Sequence, residues 1–335
     1  MSARLVVETL REPARCERYD AAQWNALIAA ARAEQIIGTL ACRLDGLSLP
    51  VAAKRILDDA RALAEVGRTL ALWEAEAARR ALAPLGVPVL LLKGTAFVAA
   101  GLKAGVGRSI GDLDILVPRG ALDSVQDALL AAGWEWVKPD PYDDAYYRQW
   151  MHELPPLIHR DRDRMIDVHH TILPLTARIT PDADAIIADS EALQNGLRVP
   201  QPNDLLCHAA AHLFADGEML GGVRNLWDIH CLLEELGTDG LEARARLHGL
   251  HHHVMRAVRL SHDLYGTDIP IDWRVRDPAD ALFKRRLLAR DGWGRVRPKW
   301  IEHVFYLRGH WLRMPPAMLA RHLWTKWRKG YHPVG

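Results

Sequence analysis

The sequence has no apolar run approaching the roughly 18 residues that cross a bilayer, which excludes a membrane-spanning helix. Glu8 and Arg11 fall where the core of a signal peptide would lie, so no export signal is expected. Cysteine is scarce: Cys16, Cys42, Cys207 and Cys231 are scattered, with no Cys-x-x-Cys pair. That spacing excludes a disulfide scaffold or a cysteine zinc site and leaves reduced thiols in a cytoplasmic protein as the expectation. An overall charge of one sign is also missing, the net being +1, but the distribution is uneven. From Lys284 onward there are thirteen Lys and Arg against Asp291 and Glu302, so residues 1–283 are net acidic and the tail strongly basic. The tail therefore suits an anionic partner. The 335 residues, 49% apolar and 25% charged, have the composition of a globular protein of two domains, or of one with a large extension.

What is present is the stretch Arg108-Ser-Ile-Gly-Asp-Leu-Asp-Ile-Leu-Val-Pro118, in which Asp112 and Asp114 alternate with Leu113, Ile115 and Val117. A strand has a side-chain period of two, so both carboxylates point to one face. Two anions at that spacing repel unless water screens them at a strand start or a cation lies between them. Mg²⁺ is bound through one or two carboxylates plus substrate phosphates, so such a pair is a candidate metal site.

Upstream, residues 20–48 and 51–83 read as helices, with Ile56, Leu63, Leu70 and Trp73 at helical spacing and alanines for close packing. They are expected to be a lid or scaffold without chemistry. Pro84-Leu-Gly-Val-Pro88 stops the second helix. The apolar run 89–92 is expected as a strand buried on both faces, leading into Lys93-Gly94-Thr95 and a helix over 96–102. Backbone N–H groups, a hydroxyl and an ammonium together suit a phosphate, although Gly-Thr also serves as a turn and N-cap. A loop expected to be flexible follows, with Gly101, Gly105, Gly107 and Gly111; it carries Lys103, Arg108 and Ser109. A helix over 121–132 closes at Gly133, and strands are expected at 134–137, 154–159 and 165–170, with 140–150 a loop or short helix and 161–164 a hairpin turn. The last strand puts Asp167 and His169 on one face, which adds a third carboxylate to the pair.

Residues 178–199 are acidic and read as helix or loop. A helix over 204–214 carries His208 and His212 one turn apart; with no Glu beside the first and no third ligand, core or substrate-facing histidines are favoured over zinc. In the next helix Arg224 and Asp228, at i and i+4, are expected to pair with each other or to meet substrate. Residues 241–265 read as one helix whose His248, His251, His252 and His253 radiate and cannot share an ion. The tail holds Trp293, Trp300, Trp311, Trp324 and Trp327, with Leu319, Leu323 and Trp327 on one helical face beside Arg321, Lys326, Arg328 and Lys329. Such a segment packs on the protein, lies on an anionic membrane surface or contacts nucleic acid.

Lys93-Gly94-Thr95, Gly111-Asp-Leu-Asp-Ile-Leu-Val117 and Ile166-Asp-Val-His169 together resemble the nucleotidyltransferase superfamily that includes DNA polymerase beta and the aminoglycoside nucleotidyltransferases. More narrowly, residues 85–235 resemble the bacterial uncharacterised nucleotidyltransferases, with their Leu-Lys-Gly turn, Arg-x-x-Gly-Asp-x-Asp strand, later Asp-x-His, His-rich helix and Leu-Trp-x-Asp helix. Gly-Thr stands where Gly-Ser is usual, Lys93 precedes it, and the gap to Asp112 is long. The resemblance implies that Asp112, Asp114 and Asp167 are catalytic and hold two Mg²⁺ ions, with Mn²⁺ as the alternative. Lys93, Gly94, Thr95, Arg108 and Ser109 are expected at the phosphates of a nucleoside triphosphate, ATP first among them, and His169, His212, Arg224 and Asp228 at the substrate or behind the ligands.

The expected fold is α+β: a helical region (1–84), a small mixed sheet forming the nucleotidyltransferase core (85–175), a helical substrate region (176–283) and the basic, Trp-rich tail (284–335). The expected reaction is Mg²⁺-dependent transfer of a nucleoside monophosphate to a hydroxyl of a small molecule, peptide or protein. Attack at the γ-phosphorus would make the chain a kinase, for which Lys93 is the argument. A nucleotide-sensing scaffold is the non-enzymatic alternative, against which three converging carboxylates speak.

Overall fold

Segments of two to five residues are too short to nucleate helices and instead pair laterally. In the computed structural model, which describes residues 2–137, 147–215, 219, 221–313, 324 and 328, they form β1 (Leu90–Leu91), β2 (Leu113–Leu116), β3 (Trp134–Trp136), β4 (Leu157–His159), β5 (Met165–His169), β6 (Glu191–Ala192) and β7 (Arg198–Val199). Their order across one sheet is β3-β4-β5-β2-β1-β7-β6. The β2–β5 and β1–β7 pairs are parallel and the others antiparallel, so the sheet is mixed. Every residue of β1 and β2 is buried, as an apolar run covered on both faces requires. The β2–β5 register sets Asp114 beside Asp167.

Helices enclose the sheet: α1 (Ser2–Arg11), α2 (Ala21–Ala33), α3 (Ile37–Arg43), α4 (Val51–Leu82), α5 (Lys93–Ala99), α6 (Leu122–Ala131), α7 (Ala183–Ala188), α8 (Pro202–Phe214), α9 (Gly222–Leu236), α10 (Leu241–Leu247), α11 (His251–Tyr265), α12 (Asp280–Leu287) and α13 (Lys299–Arg313). Asp20 and Gln23 close a reciprocal capping box at the start of α2. One hydrophobic cluster runs from Ala3 to Phe305 and draws on the sheet and on the helices before and after it. Among the described residues no helix is long and apolar enough to cross a membrane.

Several local expectations are corrected. Residues 20–48 are two helices, because Gln35 turns at φ +54° and Glu34 leaves the helix to accept from the Val223 N–H at 2.9 Å and from Arg290 at 2.6 Å. Residues 241–265 break at Gly249 (φ +66°), where His248 is buried between Asp204 (2.8 Å) and the Asp182 N–H (3.2 Å). The acidic stretch 178–199 holds α7 and the two edge strands β6 and β7. In α4 the core-facing stripe is Ala71, Ala75, Ala78 and Leu82, whereas Leu63, Leu70 and Trp73 are exposed. The glycine-rich loop is anchored: Ala104 and Gly105 are buried, Thr39 Oγ1 donates to the Val106 carbonyl at 3.1 Å, and the backbones of Gly38 and Gly107 touch, so a Cβ on Gly107 would lie 2.5 Å from the Gly38 carbonyl oxygen.

In the tail, α13 buries Ile301 and Phe305 while Trp300 and Trp311 stay partly exposed, under Arg285 and Arg178 respectively. The apolar stripe expected at Leu319, Leu323 and Trp327, and residues 140–146 of the stretch expected as loop or short helix, lie outside the described residues.

Candidate active site

The site begins at the sheet centre. The Leu92 N–H donates to the Asp114 carbonyl at 3.0 Å, which carries the β1–β2 pairing one residue further, to Leu92 and Asp114, with Lys93 the next residue in the chain. Lys93 enters α5 at φ +49°, a left-handed conformation that costs a non-glycine residue about 1 kcal/mol or more. Its Nζ lies 2.6 Å from Asp114 Oδ1. The same oxygen meets His169 Nε2 at 3.0 Å. Carboxylate oxygens of Asp112, Asp114 and Asp167 lie within 4.8 Å of one another. Asp112 is exposed at the mouth, Asp167 half-buried and Asp114 buried.

The three carboxylates differ because their neighbours differ. Burial alone would raise Asp114, but Lys93 and His169 outweigh it and hold the carboxyl far below the ordinary range. For Lys93 burial opposes the charged form, yet Asp114, aided by Asp112 and Glu153, keeps the ammonium above its ordinary range. Asp167 has the opposite balance: burial, then the charges of Asp114 and Glu153, push it up to about 7 against the pull of His169. One ammonium thus serves a cluster of carboxylates, and the cost of ionising all three falls on Asp167, which keeps its proton longest.

A stability prediction follows. The folded pKa of Asp167, about 7, lies above its ordinary 3.8, so between these values the folded state holds more protons and loses stability as pH rises. In metal-free protein Asp167→Asn should therefore be more stable than the parent by about 2 kcal/mol at pH 8. That gap should shrink towards pH 4, as chemical denaturation at the two pH values would show. A variant less stable than the parent at pH 8 would contradict the uncompensated charge.

Asp112 and Asp114 open into a cleft of about 780 Å³, within the usual range for small-ligand sites. Lys93, Gly94, Arg108, Ser109, Asp112, Asp114, His212 and Arg224 all line it. Thr95 is buried and is not part of this wall, so the hydroxyl expected at the phosphates faces the interior instead. The opposite wall is α4, which turns Ile56, Asp59, Ala60, Leu63, Ala64 and Gly67 into the cleft, with Arg32 and Gln35 at its edge. The helical region expected to lack chemistry thus supplies one side of the site.

Arg108 has its own buried arrangement. It is only 7% exposed and its guanidinium pairs with Asp228, itself 4% exposed. The expected Arg224–Asp228 pair is thereby corrected: Arg224 donates instead to Gln35 at 2.6 Å and to Asn225. Burial and the nearby Arg108 bring Arg224 down to about 10. Gly94 is required here, since a Cβ on it would lie 2.5 Å from Arg108 Nε. His208 faces a narrow recess with Phe97 and Asp228, and His212 borders both that recess and the cleft. Among the described residues neither His208, His212 nor the 248–253 histidines belong to a cluster able to hold a metal.

Two neighbours escaped sequence reasoning. Glu153 is set opposite His169 by an isolated antiparallel bridge, and His152 stands beside it. Neither has a spacing signal, because the 151–153 turn that brings them in has no periodicity.

Comparison with known proteins agrees with this geometry. The family described as Uncharacterised nucleotidyltransferase matches residues 20–266, from the cap of α2 to the end of α11, and so includes the sheet, α4 and the helix of Arg224 and Asp228. The chain belongs to that family and is a nucleotidyltransferase, whose donor substrate is a nucleoside triphosphate. No curated protein matches the sequence.

Proposed function

We propose that the protein moves a nucleoside monophosphate from a nucleoside triphosphate, ATP first among the donors, to a hydroxyl of a small-molecule, peptide or protein acceptor. The observation that carries this reading is the convergence of Asp112, Asp114 and Asp167, the first two of which line a cleft edged by Lys93, Arg108 and Arg224. The donor set fits a hard divalent cation: three hard oxygen donors share one ammonium, and a cation would offset the charge that keeps Asp167 from ionising. Asp112, Asp114 and Asp167 would hold Mg²⁺, or Mn²⁺ in its place. Bound there, the cations neutralise charge on the polyphosphate and increase the acidity of the acceptor hydroxyl.

The chain's own residues do the rest. Lys93 and His169 share Asp114 Oδ1 and so fix which oxygen of that carboxylate faces the cleft. Ser109 and the Gly94 backbone line the cleft beside the carboxylates and are assigned to the phosphates. Arg108, held by Asp228, contributes fixed positive charge at the wall. Asp167 is the carboxylate assigned to take the acceptor proton, and His169, whose Nε2 is committed to Asp114, acts by positioning. The α4 face, of small and apolar residues, is assigned to the base or the acceptor.

The test is incubation of the enzyme, Mg²⁺ and each nucleoside triphosphate with a cell extract, followed by mass spectrometry. A product heavier by a whole nucleoside monophosphate is the expected result. A gain of phosphate alone would make the protein a kinase, and triphosphate binding without turnover would make it a sensor.

A further inference from the structure

Behind Asp114 the structure holds a second group of ligand-type side chains, softer than the first. His152, Glu153 and His169 present ring nitrogens and a carboxylate oxygen within 4.8 Å of one another. Glu153 Oε2 is 3.4 Å from His169 Nδ1 and 3.5 Å from His152 Nε2, and the two rings lie 5.1 Å apart. The backbone fixes this juxtaposition: the His170 N–H donates to the His152 carbonyl and the Leu154 N–H to the Val168 carbonyl, both at 2.9 Å.

His169 is the telling residue. It is 2% exposed, and its Nε2 meets Asp114 at 3.0 Å. A carboxylate accepts there, so Nε2 carries the hydrogen, and Nδ1 is left facing Glu153 with room for one positive charge between them, a proton or a metal ion. Nδ1 is buried without a hydrogen bond and faces the Glu153 carboxylate. A buried lone pair opposite an anion is unfavourable unless a positive charge lies between them. A carboxylate on one ring nitrogen with a metal on the other is the usual way a ligating imidazole is oriented.

We infer that His152, Glu153 and His169 form a second metal site, for a borderline transition-metal ion of the Zn²⁺ class. Two imidazoles and one carboxylate suit Zn²⁺ and leave a position for water. The three aspartates, all hard oxygen donors, suit Mg²⁺. Two ions of different softness would then sit on either side of one imidazole–carboxylate pair, the second serving to fix the His169 ring. This site goes beyond the transfer reaction and stands whether or not that reaction is as proposed.

The test uses full-length protein carrying Asp112→Asn, which weakens the aspartate site, stripped with EDTA and titrated with Zn²⁺ and, as an optical probe, Co²⁺. One retained equivalent of Zn²⁺ and a visible Co²⁺ absorption band are expected. His152→Asn or Glu153→Gln should each weaken Zn²⁺ binding by about 100-fold or more, at least the loss seen for outer partners of metal ligands. Affinities within about threefold of the parent in both variants would overturn the site. Should either variant fail to fold, Zn²⁺ titration of the parent followed by ¹⁵N NMR of the histidine rings decides the matter. A large shift of His169 Nδ1 supports the site, and an unmoved Nδ1 refutes it.

Discussion

Asp112→Asn should lower nucleotidyl transfer by about 10³-fold or more while leaving the fold intact. The change removes one charge from the carboxylate cluster without altering side-chain size. A group that stabilises charge only at the reacting centre contributes on the order of 10²–10³-fold in rate, and a residue that also holds the cation contributes more. Asp112 is exposed and precedes β2, so its loss should change unfolding free energy by no more than about 0.5 kcal/mol. Turnover of labelled triphosphate and thermal unfolding of the same sample measure both effects. Asp114→Asn is a poorer test, because it would leave the largely buried Lys93 ammonium without its 2.6 Å partner and damage the fold as well. An Asp112→Asn enzyme with full activity would remove Asp112 from the catalytic set.

Arg108→Met should produce the largest loss of stability, about 3–5 kcal/mol, the cost of leaving one member of a buried ion pair. Asp228 is already raised by burial, with Arg108 and Arg224 opposing. Without Arg108 it would be raised further above the unfolded value, so the damage should ease as pH falls. The double variant Arg108→Met/Asp228→Leu, which removes both charges, should recover most of the loss. Denaturant unfolding of parent, single and double variants closes the cycle. A single variant within about 1 kcal/mol of the parent would show that the pair does not organise the cleft wall.

The parts of this architecture that were legible in the sequence are those written in local periodicity. Asp114 and Asp167 could be read because each alternates with buried aliphatic residues on a strand, and Asp112 because it stands two residues before Asp114 at the entry to β2; the period of two settles which way a carboxylate points. The mixed sheet between helical segments followed from the same runs. What could not be read depends on long-range packing. Asp228 pairs with Arg108, 120 residues earlier, rather than with Arg224 one turn away. The alternation of Ala and Leu in α4 shows an amphipathic helix but not which stripe is inside; the buried one is Ala71, Ala75, Ala78 and Leu82. The break at Gly249 depends on Asp204 and Asp182, and the edge strands β6 and β7 are two residues each, below the length at which alternation can be recognised. Glu153 became part of the site only once strand pairing was known, and Lys93, which reads as a phosphate ligand in the sequence, sits on Asp114 in the fold.

The measurement that tests the central claim most directly is calorimetric titration of a nucleoside triphosphate into the protein with Mg²⁺ and with EDTA, for the parent and for Asp112→Asn. If three carboxylates gather to hold cations against a polyphosphate, Mg²⁺ should tighten binding to the parent by about tenfold or more, some 1.4 kcal/mol, and the variant should lose most of that gain. Equal affinity with and without the metal in the parent would contradict the account.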